Sequence, residues 1–120
     1  MTLTTLQKRQ IVQKAMEAAE EGKVEETVSL FKEVQGVIGN SPAPFVGIAT
    51  AFINSQEYAK AKLLLQEGLQ RLPNSTEIKA VLALALHLNG DKTEKDEILG
   101  NLTREPGEVG AFARELMMEV

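Results

Sequence analysis

PAPFVGIATAFINSQEYAKAKLLLQEGLQRLP, residues 42–73, holds two helical signals separated by one turn. Ser41 stands ahead of it as an N-cap and Pro42 follows at the first helical position, where a missing N–H costs nothing. Phe45, Ile48, Ala49 and Phe52 then recur at spacings of three and four, which predicts one face of a helix running to about Asn54. A second helix is expected from about Glu57 to Leu72, with Tyr58, Ala61, Leu65 and Gly68 on its face and Pro73 ending it.

The same grammar extends both ways. Upstream, Thr4 with Gln7 forms a capping box opening a helix to about Glu21, which Gly22 stops. The next helix carries Val24, Val28, Phe31 and Val34 and is expected to end at Gly36 and Gly39. Downstream, Asn74 with Glu77 opens a helix carrying Ile78, Leu82, Ala85 and Leu86 up to Gly90, and Asp91 with Glu94 opens another. Pro106 falls in the first turn of a last helix striped by Val109, Phe112, Ala113 and Leu116.

Sliding the sequence over itself by 34 residues superimposes Gly22, Gln56 and Gly90 at the turns and Ala15, Ala49 and Ala83 in the preceding helices. A period of that length made of two helices is a helical-hairpin repeat. Alanine at a helix crossing lets two backbones approach, while Phe52, Leu65 and Leu86 fill the space beside it.

Composition agrees. The 120 residues are 43% hydrophobic and 25% charged, a balance that folds, and five aromatics with no Trp favour helices over a sheet sandwich. One all-α domain over residues 1–120 is the expectation. With no cysteine there is no disulfide, thiol nucleophile or thiolate metal site, and His87 alone cannot anchor a zinc centre. The serines at 29, 41, 55 and 75 fall near helix ends or on helix faces and none lies in a nucleophile elbow. No glycine loop of the phosphate-cradling type is present, and the acidic pairs Glu20-Glu21, Glu25-Glu26 and Asp96-Glu97 read as solvated helix faces. No enzyme activity, cofactor or metal is therefore expected. The net charge is −4 with scattered cations, which argues against nucleic acid. The longest apolar run, residues 80–86, is far too short to span a bilayer, and the first residues lack a signal-peptide core, so a cytoplasmic location is expected.

The middle hairpin resembles the tetratricopeptide repeat. Phe45, Ile48, Ala49, Phe52, Tyr58, Ala61, Leu65, Gly68 and Pro73 stand where that family's large, small, aromatic and closing proline residues stand. Ile11, Ala15, Gly22 and Phe31 match in the first hairpin, and Leu82, Ala83, Leu86, Gly90 and Leu99 in the third. Thr27 and Lys95 depart from the family by replacing a small alanine, and Lys79 by replacing a large apolar residue. The resemblance implies hairpins over about 4–39, 41–73 and 74–103 in a short right-handed solenoid, with a capping helix over about 106–118.

In such a solenoid the first helix of each pair lines the concave side. The residues so placed are Val12 and Met16, then Val46, Thr50 and Ile53, then Ala80, Leu84 and His87. Family modules that grip acidic C-terminal tails use lysine and asparagine at these positions. Here Val12, Met16, Val46 and Thr50 stand there, so that clamp is not expected. An apolar strip suits an amphipathic helix of a protein partner. Length, acidity and the run LALALHLNGD at residues 82–91 are similar to the small chaperones of bacterial type III secretion, which implies a secretion subunit as client. Two other readings stand beside it: a scaffold or adaptor that self-associates as a homodimer, and a strip packed against the chain's own last helix.

Overall fold

The computed structural model describes residues 2–35 and 40–119. Within them the chain forms seven α-helices and no strand: α1 (Thr5–Glu20), α2 (Val24–Val34), α3 (Ala43–Asn54), α4 (Tyr58–Arg71), α5 (Thr76–Asn89), α6 (Lys92–Leu102) and α7 (Gly107–Met118). The expected end of the second helix at Gly36 and Gly39 lies outside the described residues.

Local chemistry starts α1 and α3 as expected. The Gln7 N–H donates to Thr4 Oγ1 at 3.1 Å and the Thr4 N–H to Gln7 Oε1 at 2.8 Å, closing the capping box. Ser41 Oγ accepts the Ala43 N–H at 3.1 Å. Two starts differ. Ser75, not Asn74, caps α5, because its hydroxyl reaches the Ile78 N–H at 3.2 Å. Asp91 precedes α6 but makes no capping bond, since its carboxylate is taken by Asn89 Nδ2 at 2.8 Å and Lys62 Nζ at 3.3 Å. Pro106 stands just ahead of α7 in extended conformation instead of inside its first turn.

The 34-residue period is a repeat of turn geometry. Gly22, Gln56 and Gly90 all adopt left-handed backbone, with φ of 72°, 64° and 82°. Each turn carries the same pair of bonds: Gly22, Gln56 and Gly90 donate back to Ala19, Ile53 and His87, and Lys23, Glu57 and Asp91 donate to Ala18, Phe52 and Leu86. That is a Schellman closure made three times. Only Gln56 pays the side-chain penalty of this conformation.

Packing follows the small residues. Ala15, Ala49 and Ala83 are each fully buried, as are Ala61 and Leu65 of the second hairpin. One cluster joins Ala15, Phe31 and Val34; a second joins Ala49, Leu65, Ile78, Leu82 and Leu86; a third joins Ala83, Leu99, Leu102, Ala113 and Leu116. The two departures at the small position are buried polar residues with partners. Thr27 Oγ1 donates to Lys23 O at 2.7 Å within its own helix, and Lys95 reaches His87. Glycine supplies two further close approaches. A Cβ on Gly47 would overlap the Phe31 ring, and one on Gly68 would lie 2.9 Å from the ring of Phe45.

Every helix touches only its sequence neighbours and the helix two places away: α1 packs on α3, α3 on α5, and α5 on α7, with the even helices seated between. The outline is long, 48 × 28 × 22 Å, with a radius of gyration of 14.6 Å. Joints are specific. Asn54 Nδ2 donates to Ala19 O at 3.0 Å, and the Asn54 backbone lies so close to Gly22 that a Cβ there would sit 3.1 Å from it. Between the second and third hairpins, Lys62 bridges Glu94 at 3.2 Å and Asp91 at 3.3 Å.

The hydrogen bonds from Asn89 and then Lys62 hold the Asp91 carboxyl below its ordinary value, and Glu94 with Asp91 raises Lys62. A lowered folded value makes Asp91's contribution complete above the ordinary carboxylate range and lost as pH falls through the folded value. Lys62→Gln is thus expected to lose less stability than the native chain when urea melts are taken from about pH 6 to about pH 3; equal slopes would mean the bridge is inert. At the turns, Gln56→Gly is expected to raise stability by up to about 1 kcal/mol, and Gly22→Ala to cost more than Gly90→Ala, by about 1 kcal/mol or more. Added atoms meet the Asn54 backbone at residue 22 and nothing within 4 Å at residue 90, so thermal melts of the three variants check the order.

Candidate functional site

Since α1, α3, α5 and α7 are successive neighbours, residues at equivalent register on them share one surface. Val12 and Met16 are half-buried against the Ala15–Phe31–Val34 cluster, with the Met16 sulfur beside Gly47. Val46 and Leu84 are half-buried on the flank of the middle cluster. Thr50 is also half-buried, and its hydroxyl donates at 2.7 Å to Val46 O inside the helix, so it offers a partner no free donor. These five side chains remain partly open to solvent.

The other three sit differently. Ile53 is 9% exposed and belongs to the core. Ala80, half-buried as well, packs against the cluster of Leu99, Leu102, Ala113 and Leu116. His87 is bridged on both sides. Lys95 Nζ lies 3.2 Å from its Nδ1, and Glu119 Oε2 lies 2.9 Å from its Nε2. An ammonium only donates, so Nδ1 is the acceptor and Nε2 carries the proton shared with Glu119. Lys95 is 6% exposed, and this imidazole is its one polar partner among the described residues. The arrangement ties α6, α5 and the end of α7 together; it leaves no histidine nitrogen free to act on a substrate.

The exposed large apolar residues, Leu6, Leu63, Leu88, Met117 and Met118, all lie outside the predicted strip. Met118, 82% exposed, stands 34 residues beyond Leu84 in the row Met16, Thr50, Leu84. Leu88 is 42% exposed at the end of α5. The 34-residue shift that located the other positions reaches Met118 as well. Elsewhere, a cleft between α2, α3 and the end of α4 has Phe31, Ile48 and Leu72 at its base and Lys32 and Arg71 at its edge. Arg71 also lies 5.9 Å above the Phe45 ring.

Among the described residues no group of three or more histidine, cysteine, aspartate or glutamate side chains is placed to hold a metal ion. Among them, too, no helix is long and apolar enough to cross a membrane. Comparison with family models, with curated proteins and with solved structures finds no match to the chain. What can be said of its class is that it is an all-helical chain of seven helices within the described residues.

The lysine–histidine–glutamate bridge has an asymmetric prediction. Lys95→Met removes the buried charge with its partner's need and is expected to change stability by less than about 1 kcal/mol. His87→Phe strands the ammonium and is expected to cost about 1–3 kcal/mol. Chemical denaturation of the pair would show it, and a larger loss for Lys95→Met would reverse the reading.

Proposed function

We propose that this chain is a non-enzymatic binding module of the tetratricopeptide type, whose hairpins curve as a short right-handed solenoid and hold an apolar or amphipathic helix of another protein. The partly open row of Val12, Met16, Val46, Thr50 and Leu84 on three successive first helices is the observation that carries this reading. Leu88 and Met118 extend the apolar supply toward the C-terminal side. Two methionines in the row Met16, Thr50, Leu84, Met118 supply flexible, polarisable contacts that adapt to different apolar faces. The chemistry suits a helix because side chains recurring at one register across packed helices make a strip, not a pocket.

Magnitudes set the scale. Covering about 400 Å² of apolar surface contributes about 10 kcal/mol, against about 4–15 kcal/mol for lost freedom, so affinity rests on a few well-buried side chains. A cytoplasmic chaperone that shields a helical subunit before assembly, of the kind that serves type III secretion, fits this profile of an acidic, short, repeat-built chain. Lys95 and His87 are engaged within the fold, which leaves recognition to shape and burial.

The test is pull-down of a helical client from the native cytosol by the tagged chain and by variants. Met16→Glu and Leu84→Glu are each expected to weaken capture about tenfold or more, near 1.4 kcal/mol, with helicity by circular dichroism unchanged. Capture that is indifferent to both substitutions would remove the strip as the binding surface.

A further inference from the structure

Sulfur in this chain is methionine alone: cysteine is absent, and of the four methionines Met1 lies outside the described residues. The other three stand on the first and last helices and differ in access. Met118 is 82% exposed and Met117 47%, side by side at the end of α7. Met16 is half-buried on α1, packed against the Ala15–Phe31–Val34 cluster, and its sulfur lies 3.1 Å from where a Cβ on Gly47 would stand. Met16 and Met118 belong to the row Met16, Thr50, Leu84, Met118, whereas Met117 holds the register of Ala15, Ala49 and Ala83, off that row.

A thioether takes an oxygen atom from a peroxide. The sulfur lone pair attacks one peroxide oxygen, the O–O bond breaks as the S–O bond forms, and the departing oxygen leaves as water after taking the proton of the transferred one; methionine becomes its sulfoxide and the peroxide is reduced. An apolar, adaptable side chain is thereby replaced by a polar, chiral one at the same backbone position. With no thiolate in the chain to react ahead of them, the order among the thioethers follows access, which places Met118 first, Met117 second and Met16 last.

We infer that the apolar strip is peroxide-sensitive: oxidation of Met118 to its sulfoxide closes the C-terminal edge of the strip to an apolar partner, and reduction by a methionine sulfoxide reductase reopens it. The inference rests on the strip being the binding surface. A sulfoxide oxygen buried under a partner costs free energy unless a donor meets it. The strip supplies none: Val46 and Leu84 carry no polar side-chain atom, and the Thr50 hydroxyl is already spent on Val46 O at 2.7 Å. Met16 adds a second stage. Its sulfur is set against Gly47 and the first hairpin's core, so an oxygen added there disturbs the packing of α1 on α3 as well as the strip. Met117 reacts without altering the row.

Brief exposure of the full chain to hydrogen peroxide tests it with two readouts. Peptide mapping by mass spectrometry follows each sulfoxide, and fluorescence anisotropy follows binding of a labelled synthetic amphipathic helix that carries leucine along one face and no methionine. Sulfoxide is expected at Met118 before Met117 and at Met16 last, and conversion of Met118 is expected to weaken peptide binding about fivefold. Treatment with a methionine sulfoxide reductase and a thiol reductant is expected to return the lost affinity. In the Met118→Leu chain peroxide is expected to leave affinity where it stood before treatment, while the Met117→Leu chain responds as the native one does. Oxidation of Met16 as fast as Met118, or equal binding before and after Met118 is converted, would overturn the switch and leave the strip standing. An untreated chain that does not bind the peptide would remove strip and switch together.

Discussion

Close approach between helices is the constraint on which this structure depends. Ala15, Ala49 and Ala83 recur every 34 residues and all are sealed from solvent. A methyl group is the whole of what each crossing admits, and the bulk that makes the core lies beside it in Phe31, Leu65, Leu86 and Leu99. Gly47 and Gly68 take the same logic one step further, letting the rings of Phe31 and Phe45 lie where a side chain would stand. Interiors packed to crystal-like density register such atoms individually.

The equivalent position on the second helices shows what happens when the small residue is lost. Thr27 folds its hydroxyl back on the Lys23 carbonyl and remains an apolar plug, whereas Lys95 threads outward from the core to His87. Both satisfy the rule that buried polar atoms find partners, and no buried side-chain nitrogen or oxygen among the described residues lacks one. The third hairpin is thereby linked to Glu119 through a chain that the first two hairpins have no counterpart for.

Much of the fold was legible in the sequence because its signals are local and periodic. Apolar spacing located each helix, and the Thr4–Gln7 box and the glycines at 22 and 90 marked boundaries that the backbone obeys. Two caps were misplaced for a reason no local pattern contains. Asp91 is drawn to Lys62, which lies 29 residues away in the chain, and Ser75 outcompetes Asn74 by geometry alone. Of the strip, register found the rows, but only Ile53 sank into the core; Ala80 and His87 are half-buried like the rest and differ in their neighbours, the α7 cluster for Ala80 and Lys95 with Glu119 for His87. Which neighbour covers a residue is a tertiary fact, and periodicity is silent on it.

Contacts confined to adjacent and next-adjacent helices have a mechanical meaning. Strain applied at one end has no direct path to the other and must be handed along hairpin by hairpin. The Asn54 side chain seated on the Ala19 carbonyl, with Gly22 against the Asn54 backbone, pins the first hairpin to the second at their turns. Excursions are therefore cheapest at the extremities and dearest around Leu65 and Ile78, giving a molecule that breathes from its tips inward, like a short spring clamped at its middle coil.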